Sequence, residues 1–329
     1  MVAVFQTPIT ADDVKAKARA LGADLVGIAD GAVMNEHPPD PADPQRPSDI
    51  SDHDAGRVIV LAQRVSLGAA RILDWSDRHK YYNDELTVTA LEEIALDLVR
   101  WLERAGYPAL IIPGTHTNPW RYDGDPHLHQ KPPLSLDHAA VEAGLGTLGL
   151  NLQLLTPEYG PRVLLTAVLC SAPVEPNKRI EASLCRGPEC GRCLSTCPGD
   201  AVRHWDRDWV ACDTYRHPHG FKQLTDYLGS VIDETDPEAQ KKMLRNEESF
   251  HLWTSILRGA GAITGCRRCQ DVCPVGADYD DMLKDALDDI PEDNDEKRAR
   301  LKSMRAADTA GELGAGHAAQ RRWIGTRDG

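Results

Sequence analysis

Hydrophobic residues in the first half of the chain recur with helical spacing in some segments and form short continuous runs in others. A helix is predicted from about residue 84 to residue 105, because its apolar positions share one face and Gly106 with Pro108 would end it. Strands are predicted where apolar residues are continuous over the length of a strand. These segments are 24–29, 57–62, 109–112 and 162–170, of which 57–62 is predicted to be central in a sheet.

The pattern changes near Pro173, and this change divides the chain. Residues 1–175 are predicted to form an α/β domain, and residues 176–284 a second domain that holds eight of the nine cysteines. With few long apolar runs, this second domain is predicted to be organised around metal more than around an apolar core. Residues 285–329 form a charged C-terminal tail, expected to be a short helix followed by a loose or docked end. The fold class is therefore α+β.

Composition and charge are typical of a globular protein and disfavour a membrane or a nucleic acid as its partner. Hydrophobic residues make up 41% and charged residues 27%, and no apolar run approaches the roughly 20 residues that span a bilayer. The first residues lack a basic and apolar leader, which predicts a cytoplasmic protein without a membrane anchor. The formal net charge of −14 repels phosphate backbones, so a nucleic-acid partner is disfavoured.

The cysteines carry the clearest chemical signal. The first motif is Cys185-x4-Cys190-x2-Cys193-x3-Cys197-Pro198, the second is Cys266-x2-Cys269-x3-Cys273-Pro274, and Cys212 stands between them. In a reducing cytoplasm, such crowded cysteines are expected to bind metal and not to form disulfides. The Cys-Pro ends, and the gap of three residues before the last cysteine of each motif, are typical of two-cluster ferredoxins.

The same spacing predicts which cysteines share a cluster. Three closely spaced thiolates reach three corners of a [4Fe–4S] cube, while the fourth corner takes the cysteine that precedes proline in the other motif. One cluster is then predicted to use Cys185, Cys190, Cys193 and Cys273. The other is predicted to use Cys197, Cys212, Cys266 and Cys269, which leaves Cys170 as a buried thiol. Two structural zinc sites of four thiolates each are the alternative.

Two segments before the cysteines extend this interpretation. The segment 133–149 contains the turn Ala143-Gly144-Leu145-Gly146, and the segment 155–162 follows it. Together with the cysteine motifs, they resemble the reductive dehalogenase and epoxyqueuosine reductase superfamily over about residues 10–280. The resemblance implies a nitroreductase-like α/β domain that binds a base-off corrinoid, followed by a two-cluster domain similar to bacterial ferredoxins. The implied cofactors are cobalamin and two [4Fe–4S] clusters that deliver electrons to cobalt.

The resemblance also suggests which residues contact the corrinoid. A glycine turn lets the backbone approach a large ligand closely, so Gly144, Leu145 and Gly146 are candidate cobalamin-binding residues. Ser135 and Asn151 are candidate hydrogen-bond donors to the same cofactor. The alternative is that the glycines only end a helix and turn the chain.

One departure bears on the proton donor. The tRNA enzymes of the superfamily carry an acid in an Asp-x-x-Pro stretch, and matching Pro133 to that proline puts Gln130 at the acid's position. Glutamine does not donate a proton in the relevant pH range. The polar loop 113–133 offers other acids, namely Tyr122, Asp123, Asp125, His127 and His129. Tyr122 and His127 are the candidate catalytic residues, with a surface hydrogen-bond network as the alternative role.

These inferences predict a cobalamin-dependent oxidoreductase that cleaves a bond reductively, in the manner of a dehalogenase, in a small organic substrate. Its electrons would come from a ferredoxin, a flavodoxin or a reductase domain. The alternatives are a tRNA epoxyqueuosine reductase, a corrinoid-free electron carrier similar to ferredoxin, and a binding module stabilised by zinc.

Overall fold

The structure, a computed structural model, describes residues 6–115, 117–122 and 124–327. Its strands are β1 (Leu25–Asp30), β2 (Arg57–Arg64), β3 (Ala109–Ile112), β4 (Thr147–Leu148), β5 (Leu154–Leu155), β6 (Val163–Cys170), β7 (Val202–Arg203) and β8 (Asp206–Arg207). Four of them form an antiparallel sheet in the order β1-β2-β6-β3, and β4-β5 and β7-β8 form two small hairpins.

Strand β2 is central, as predicted, and both of its faces are buried. Val58 and Val60 belong to the apolar cluster that also contains residues of the segment 136–143. Ile59 and Leu61 point to the opposite face, where they meet the helical residues Leu91 and Leu98. Because successive side chains of a strand face opposite sides of the sheet, a strand buried on both sides shows a continuous apolar run.

Five helices accompany the sheet in the N-terminal half. They are α1 (Ala11–Leu21), α2 (Gly31–Glu36), α3 (Leu67–Ala70), α4 (Arg78–Arg104) and α5 (Leu136–Glu142). The predicted helix over 84–105 is therefore α4, which begins earlier than expected because the Asp77 side chain accepts a hydrogen bond from the His79 N–H at 2.8 Å. The apolar stripe of α4 packs on the sheet.

The cysteine-rich half is largely helical. Its helices are α6 (Arg192–Ser195), α7 (Trp209–Arg216), α8 (Phe221–Asp233), α9 (Pro237–Met243), α10 (Glu247–Arg258), α11 (Arg268–Asp271) and α12 (Ala277–Met282), with 3-10 turns at Gly187–Glu189 and Lys284–Ala286. A further 3-10 turn, Pro47–Asp49, lies in the N-terminal half. The sequence analysis did not predict α8, α9 and α10, which fill the interval between Cys212 and Cys266. Within the part of the chain that is described, no helix is long and apolar enough to cross a membrane.

The C-terminal segment is docked and folds as two helices, α13 (Asp295–Thr309) and α14 (Gly314–Ile324). Trp323 and Ile324 are buried in the same apolar cluster as the inner face of the sheet. The buried carboxylate of Glu142 accepts hydrogen bonds from Arg322 Nε at 2.6 Å and from the Trp323 indole at 2.9 Å. This end of the chain is therefore part of the core.

Arg162, at the start of β6, holds the second cysteine motif against the sheet. Its guanidinium is 1% exposed and pairs with both carboxylate oxygens of Asp278, at 2.6 and 3.1 Å. It also donates to the carbonyl oxygens of Cys273 and Val275, each at 2.7 Å. The segment that carries Cys273 is thereby fixed to the sheet.

We expect Arg162→Met to lower the free energy of unfolding by about 3 kcal/mol, because it leaves the Asp278 carboxylate, whose side chain is 9% exposed, without its partner. Urea denaturation of the purified protein measures this loss. The matched control is Arg100→Met, which breaks an exposed ion pair with Asp97 and should cost less than about 1 kcal/mol. Equal effects of the two substitutions would contradict the role given to Arg162.

Candidate functional site

A cavity of about 470 Å³ lies between the sheet and the cysteine-rich half. Its walls include residues of helix α4, of the loops 39–45 and 113–133, of the segment that begins α5, of strand β6, of the segments that carry the cysteines, and of helix α14. A cavity of this volume is in the range that small molecules and cofactors occupy. It is therefore the candidate functional site.

The eight clustered cysteines form two sets that line different cavities. Cys197, Cys212, Cys266 and Cys269, here called the inner set, line the large cavity. Cys185, Cys190, Cys193 and Cys273, here called the outer set, line a second cavity of about 30 Å³. Each set takes cysteines from both motifs, in the grouping that the fourth-corner argument predicts. Cys170 lies apart from both sets and is buried on β6, as expected.

Buried thiols in such groups are costly to ionise without a cation. Burial raises the pKa of Cys193, and the nearby thiols Cys185, Cys269 and Cys273 raise it further. Burial and neighbouring thiols also raise the pKa of Cys273, to about 12. Because metal ligation requires thiolates, a positively charged metal centre would balance these groups. Among the described residues, no group of three or more His, Cys, Asp or Glu side chains is arranged to hold one metal ion.

Arg207 is a buried cation beside the inner set. Its guanidinium nitrogens lie 3.9 Å from the Cys212 sulfur and 3.7 Å from the Cys269 sulfur. The side chain also stacks over the Trp209 ring, 5.0 Å from its centroid, and lines the cavity. Burial alone would lower the pKa of Arg207, but the thiolates of the inner set raise it above the usual value. Arg207 therefore supplies positive charge where the inner set is negative.

The loop 113–133 is anchored to the cysteine-rich half next to the cavity. His129 Nδ1 lies 2.6 Å from Asp213 Oδ2 on α7, and its ring stacks on Trp209 at 5.1 Å between centroids. Arg216 pairs with the same carboxylate at 2.6 Å. Burial alone would raise the pKa of Asp213, but Arg216 and His129 bring it down to about 2. His129 and Arg216 both line the cavity.

The two candidate catalytic residues of this loop lie outside the cavity wall. Tyr122 is 59% exposed and packs edge-on against Phe221, with 5.7 Å between the ring centroids. His127 Nε2 lies 3.2 Å from Asp226 on α8, also at the surface. The side chain of Gln130 points to the carbonyls of Asp125 and Leu128 and does not line the cavity either. Asp123 lies outside the described residues.

Of the five candidate corrinoid-binding residues, the structure brings Ser135 to the large cavity, with its hydroxyl 2.6 Å from His138 Nδ1. Gly144 has a φ of +75°, and a Cβ there would overlap the Lys178 carbonyl; a Cβ on Gly146 would overlap the Leu155 carbonyl. Gly144 and Gly146 therefore let two parts of the backbone pack closely against each other, and neither glycine lines the large cavity. Leu145 is half-buried and packs against the apolar core. Asn151 is buried beside Cys269 and lines the smaller cavity.

The buried carboxylates of the large cavity are not indicated by any sequence motif. Asp84 on α4 and Asp137 on α5 both line it. Asp137 accepts a hydrogen bond from the Leu154 N–H at 2.7 Å, and burial raises its pKa. The position of helix α14 in the cavity wall is not indicated by the sequence either. Its Gln320 lines the cavity, and Gln320 Oε1 lies within hydrogen-bond distance of His138 Nε2, at 2.7 Å.

Comparison with known proteins yields relatives of two kinds. The epoxyqueuosine reductase of Listeria monocytogenes is 27% identical over 154 residues, which are 46% of this chain and 32% of the relative. The same kind of enzyme from Gloeobacter violaceus is 26% identical over 294 residues, 80% of this chain and 76% of the relative. The tetrachloroethene reductive dehalogenase of Sulfurospirillum multivorans is 33% identical over 89 residues, 27% of this chain and 18% of the relative. No protein-family model matches the chain.

A solved structure gives the same relationship at the level of the fold. It is a reductive dehalogenase whose structure is reported to suggest a mechanism for B12-dependent dehalogenation, and it is 18% identical to this chain. The match has a TM-score of 0.51 and covers 95% of this chain and 38% of that one. The expected resemblance to the reductive dehalogenase and epoxyqueuosine reductase superfamily is confirmed.

The similarity covers only part of the longer relatives. The chain spans about a third of the length of the first curated relatives it matches. These relatives are reductases, and the mixed helix and strand architecture is shared with the dehalogenase structure.

Proposed function

We propose that the chain is a reductase with two [4Fe–4S] clusters and a corrinoid, which cleaves a bond reductively in a small organic molecule. The observation that carries this proposal is that the inner cysteine set opens on the large cavity. Electrons that reach an inner cluster would therefore arrive at the wall of the space in which the corrinoid and the substrate are bound.

The two cysteine sets fit a pair of clusters. Each set offers four thiols at one cavity, and the sets adjoin, since Cys269 of the inner set affects the pKa of Cys193 in the outer set. A ferredoxin, a flavodoxin or a reductase domain would reduce the outer cluster, and the inner cluster would pass the electrons on. The buried Arg207 beside the inner set would adjust the potential of the inner cluster.

The residues of the cavity also fit a large polar cofactor. Ser135, His129 and Gln320 offer polar groups on its wall, and Trp209 offers an aromatic face. A corrinoid supplies a cobalt centre that donates electrons to an acceptor bond when it is reduced. The chain would hold the cofactor against the inner set and exclude water with α14 and the anchored loop 113–133. The overall reaction combines R–X with two electrons and a proton, and yields R–H and X⁻.

Reduction of epoxyqueuosine in tRNA is the second candidate. The curated relatives named epoxyqueuosine reductase favour it, including the one matched over most of its length. The net charge of −14 counts against a tRNA partner, and Gln130 offers no acid at the position matched to the proton donor of these enzymes. We therefore give preference to a small organic substrate.

The cofactor and the substrate can be tested together. The protein is purified without oxygen, reconstituted with iron, sulfide and cobalamin, and assayed with a low-potential reductant on halogenated aromatic compounds and on tRNA that contains epoxyqueuosine. We expect stoichiometric cobalt and release of halide. Formation of queuosine instead would establish the second candidate, and iron without cobalt would favour an electron carrier.

The cluster ligands predict how iron content responds to substitution. The wild type should hold about eight irons per chain, and Cys197→Ala and Cys273→Ala should each retain about four, because each variant disables one cluster. The matched control is Cys170→Ala, which should retain all the iron because Cys170 lies outside both sets. Iron and zinc analysis provides the measurement. Full iron content in both ligand variants, or zinc in place of iron, would contradict the proposed clusters.

Arg207 predicts a redox effect that needs no substrate. Arg207→Gln should lower the midpoint potential of the inner cluster, because the reduced cluster is more negative and loses a buried cation next to its sulfurs. A redox titration monitored by EPR measures the shift. Arg203→Gln is the control, since Arg203 is partly exposed and pairs with Asp208. An unchanged or raised potential in Arg207→Gln would contradict this role.

A further inference from the structure

A buried chain of charged side chains connects helix α4 to residues 267–271, in the second cysteine motif. Lys80 Nζ lies 2.8 Å from Asp271 Oδ2, and Asp271 Oδ1 lies 2.7 Å from Arg267 Nη1. Arg267 Nε in turn lies 2.5 Å from Asp84 Oδ2. All four side chains are buried, with at most 5% of their surface exposed. When Asp84 is ionised, two cations and two anions therefore balance each other in this buried chain.

This chain of charges ends at the large cavity. Asp84 and Arg267 line the cavity, whereas Lys80 and Asp271 do not. The second carboxylate oxygen of Asp84, Oδ1, is buried and has no hydrogen-bond partner. A buried polar atom without a partner costs free energy, so such an atom at the wall of a cavity is a place where a ligand would bind or react.

The surroundings of Asp84 also favour its protonated form. Burial raises the pKa of the carboxyl group to about 6. The negative charge of Asp271 also raises this pKa, whereas the positive charges of Arg267 and Lys80 lower it. These are the charged groups that face Asp84 from its own helix and from the segment packed against it. A carboxyl group that titrates close to neutral pH is suited to general acid catalysis.

We infer that Asp84 is the catalytic residue that donates the proton in the reductive cleavage. The inference rests on the proposed function and adds the donor that the reaction requires. Two electrons break the R–X bond, X⁻ leaves, and the proton of the Asp84 carboxyl group completes R–H. The carboxylate that remains stays paired with Arg267, and solvent protonates it again before the next cycle.

Other acids are less suited to this step. Tyr122 and His127 do not line the cavity, and His129 is held by Asp213. Asp137 does line the cavity, but one of its carboxylate oxygens accepts the Leu154 N–H. Asp84 combines burial, a position on the wall and an unpartnered oxygen.

The first test uses Asp84→Asn, which keeps the size of the side chain and removes the proton. In the iron- and corrinoid-loaded enzyme, turnover should fall at least about 100-fold while iron and cobalt content stay unchanged. Asp84→Glu should keep a measurable part of the activity. The matched control is Glu85→Gln, which removes a neighbouring carboxylate of α4 that does not line the cavity and should leave turnover unchanged. The wild-type rate should fall as pH rises through about 6, and Asp84→Asn should lack this dependence.

A second measurement does not depend on turnover. Infrared difference spectra of the iron-loaded protein, recorded across this pH range, should show a protonated carboxyl band that disappears in Asp84→Asn and persists in Glu85→Gln. Absence of such a band would overturn the inference, as would wild-type rates in Asp84→Asn. Loss of iron in Asp84→Asn would show a structural role instead. A wild type that binds no corrinoid defeats the proposed function and the donor role with it, whereas equal activity of wild type and Asp84→Asn defeats the donor role alone.

Discussion

The placement of both cysteine sets against the sheet depends on the hydrogen bonds of the buried Arg162 guanidinium. Arg162 stands at the start of a central strand and bonds the carbonyls of Cys273 and Val275 and the carboxylate of Asp278. The second cysteine motif is thereby attached to the sheet, and Cys273 joins the outer set. Because the same motif also contributes to the inner set, a single buried cation orients both sets relative to the sheet.

The large cavity follows from this attachment. With the cysteine motifs held against the sheet, the inner set faces the start of α5 and the buried side of α4. Arg207 and Arg216 both lie over the Trp209 ring, 5.0 and 5.5 Å from its centroid, and the His129 ring stacks on the same tryptophan. Helix α14 covers another part of the wall through Gln320. Charged groups and aromatic surface are thus concentrated where we propose that reduction takes place.

Much of this could be predicted from local sequence. The strand over 57–62 and the apolar stripe of α4 are predicted from hydrophobic periodicity alone. The two cysteine sets are predicted from the spacing of the cysteines and the shape of a [4Fe–4S] cube. The acid at the cavity could not be predicted in this way, because the pairing of Asp84 with Arg267, which is remote in sequence, exists only in the folded chain. The glycine turn at Gly144 suggests a close approach to a ligand, but the atoms nearest to a Cβ there belong to Lys178 and Asn177. Contacts of this kind depend on tertiary packing, which single-sequence patterns do not contain.

The most direct test of the account is a crystal structure of the reconstituted protein with anomalous diffraction recorded at the iron and cobalt absorption edges. We predict two iron centres, one among Cys185, Cys190, Cys193 and Cys273 and one among Cys197, Cys212, Cys266 and Cys269. We also predict one cobalt centre in the large cavity. Zinc at the cysteine sets, or a cavity that holds no cobalt in crystals of the cobalamin-loaded protein, would contradict it.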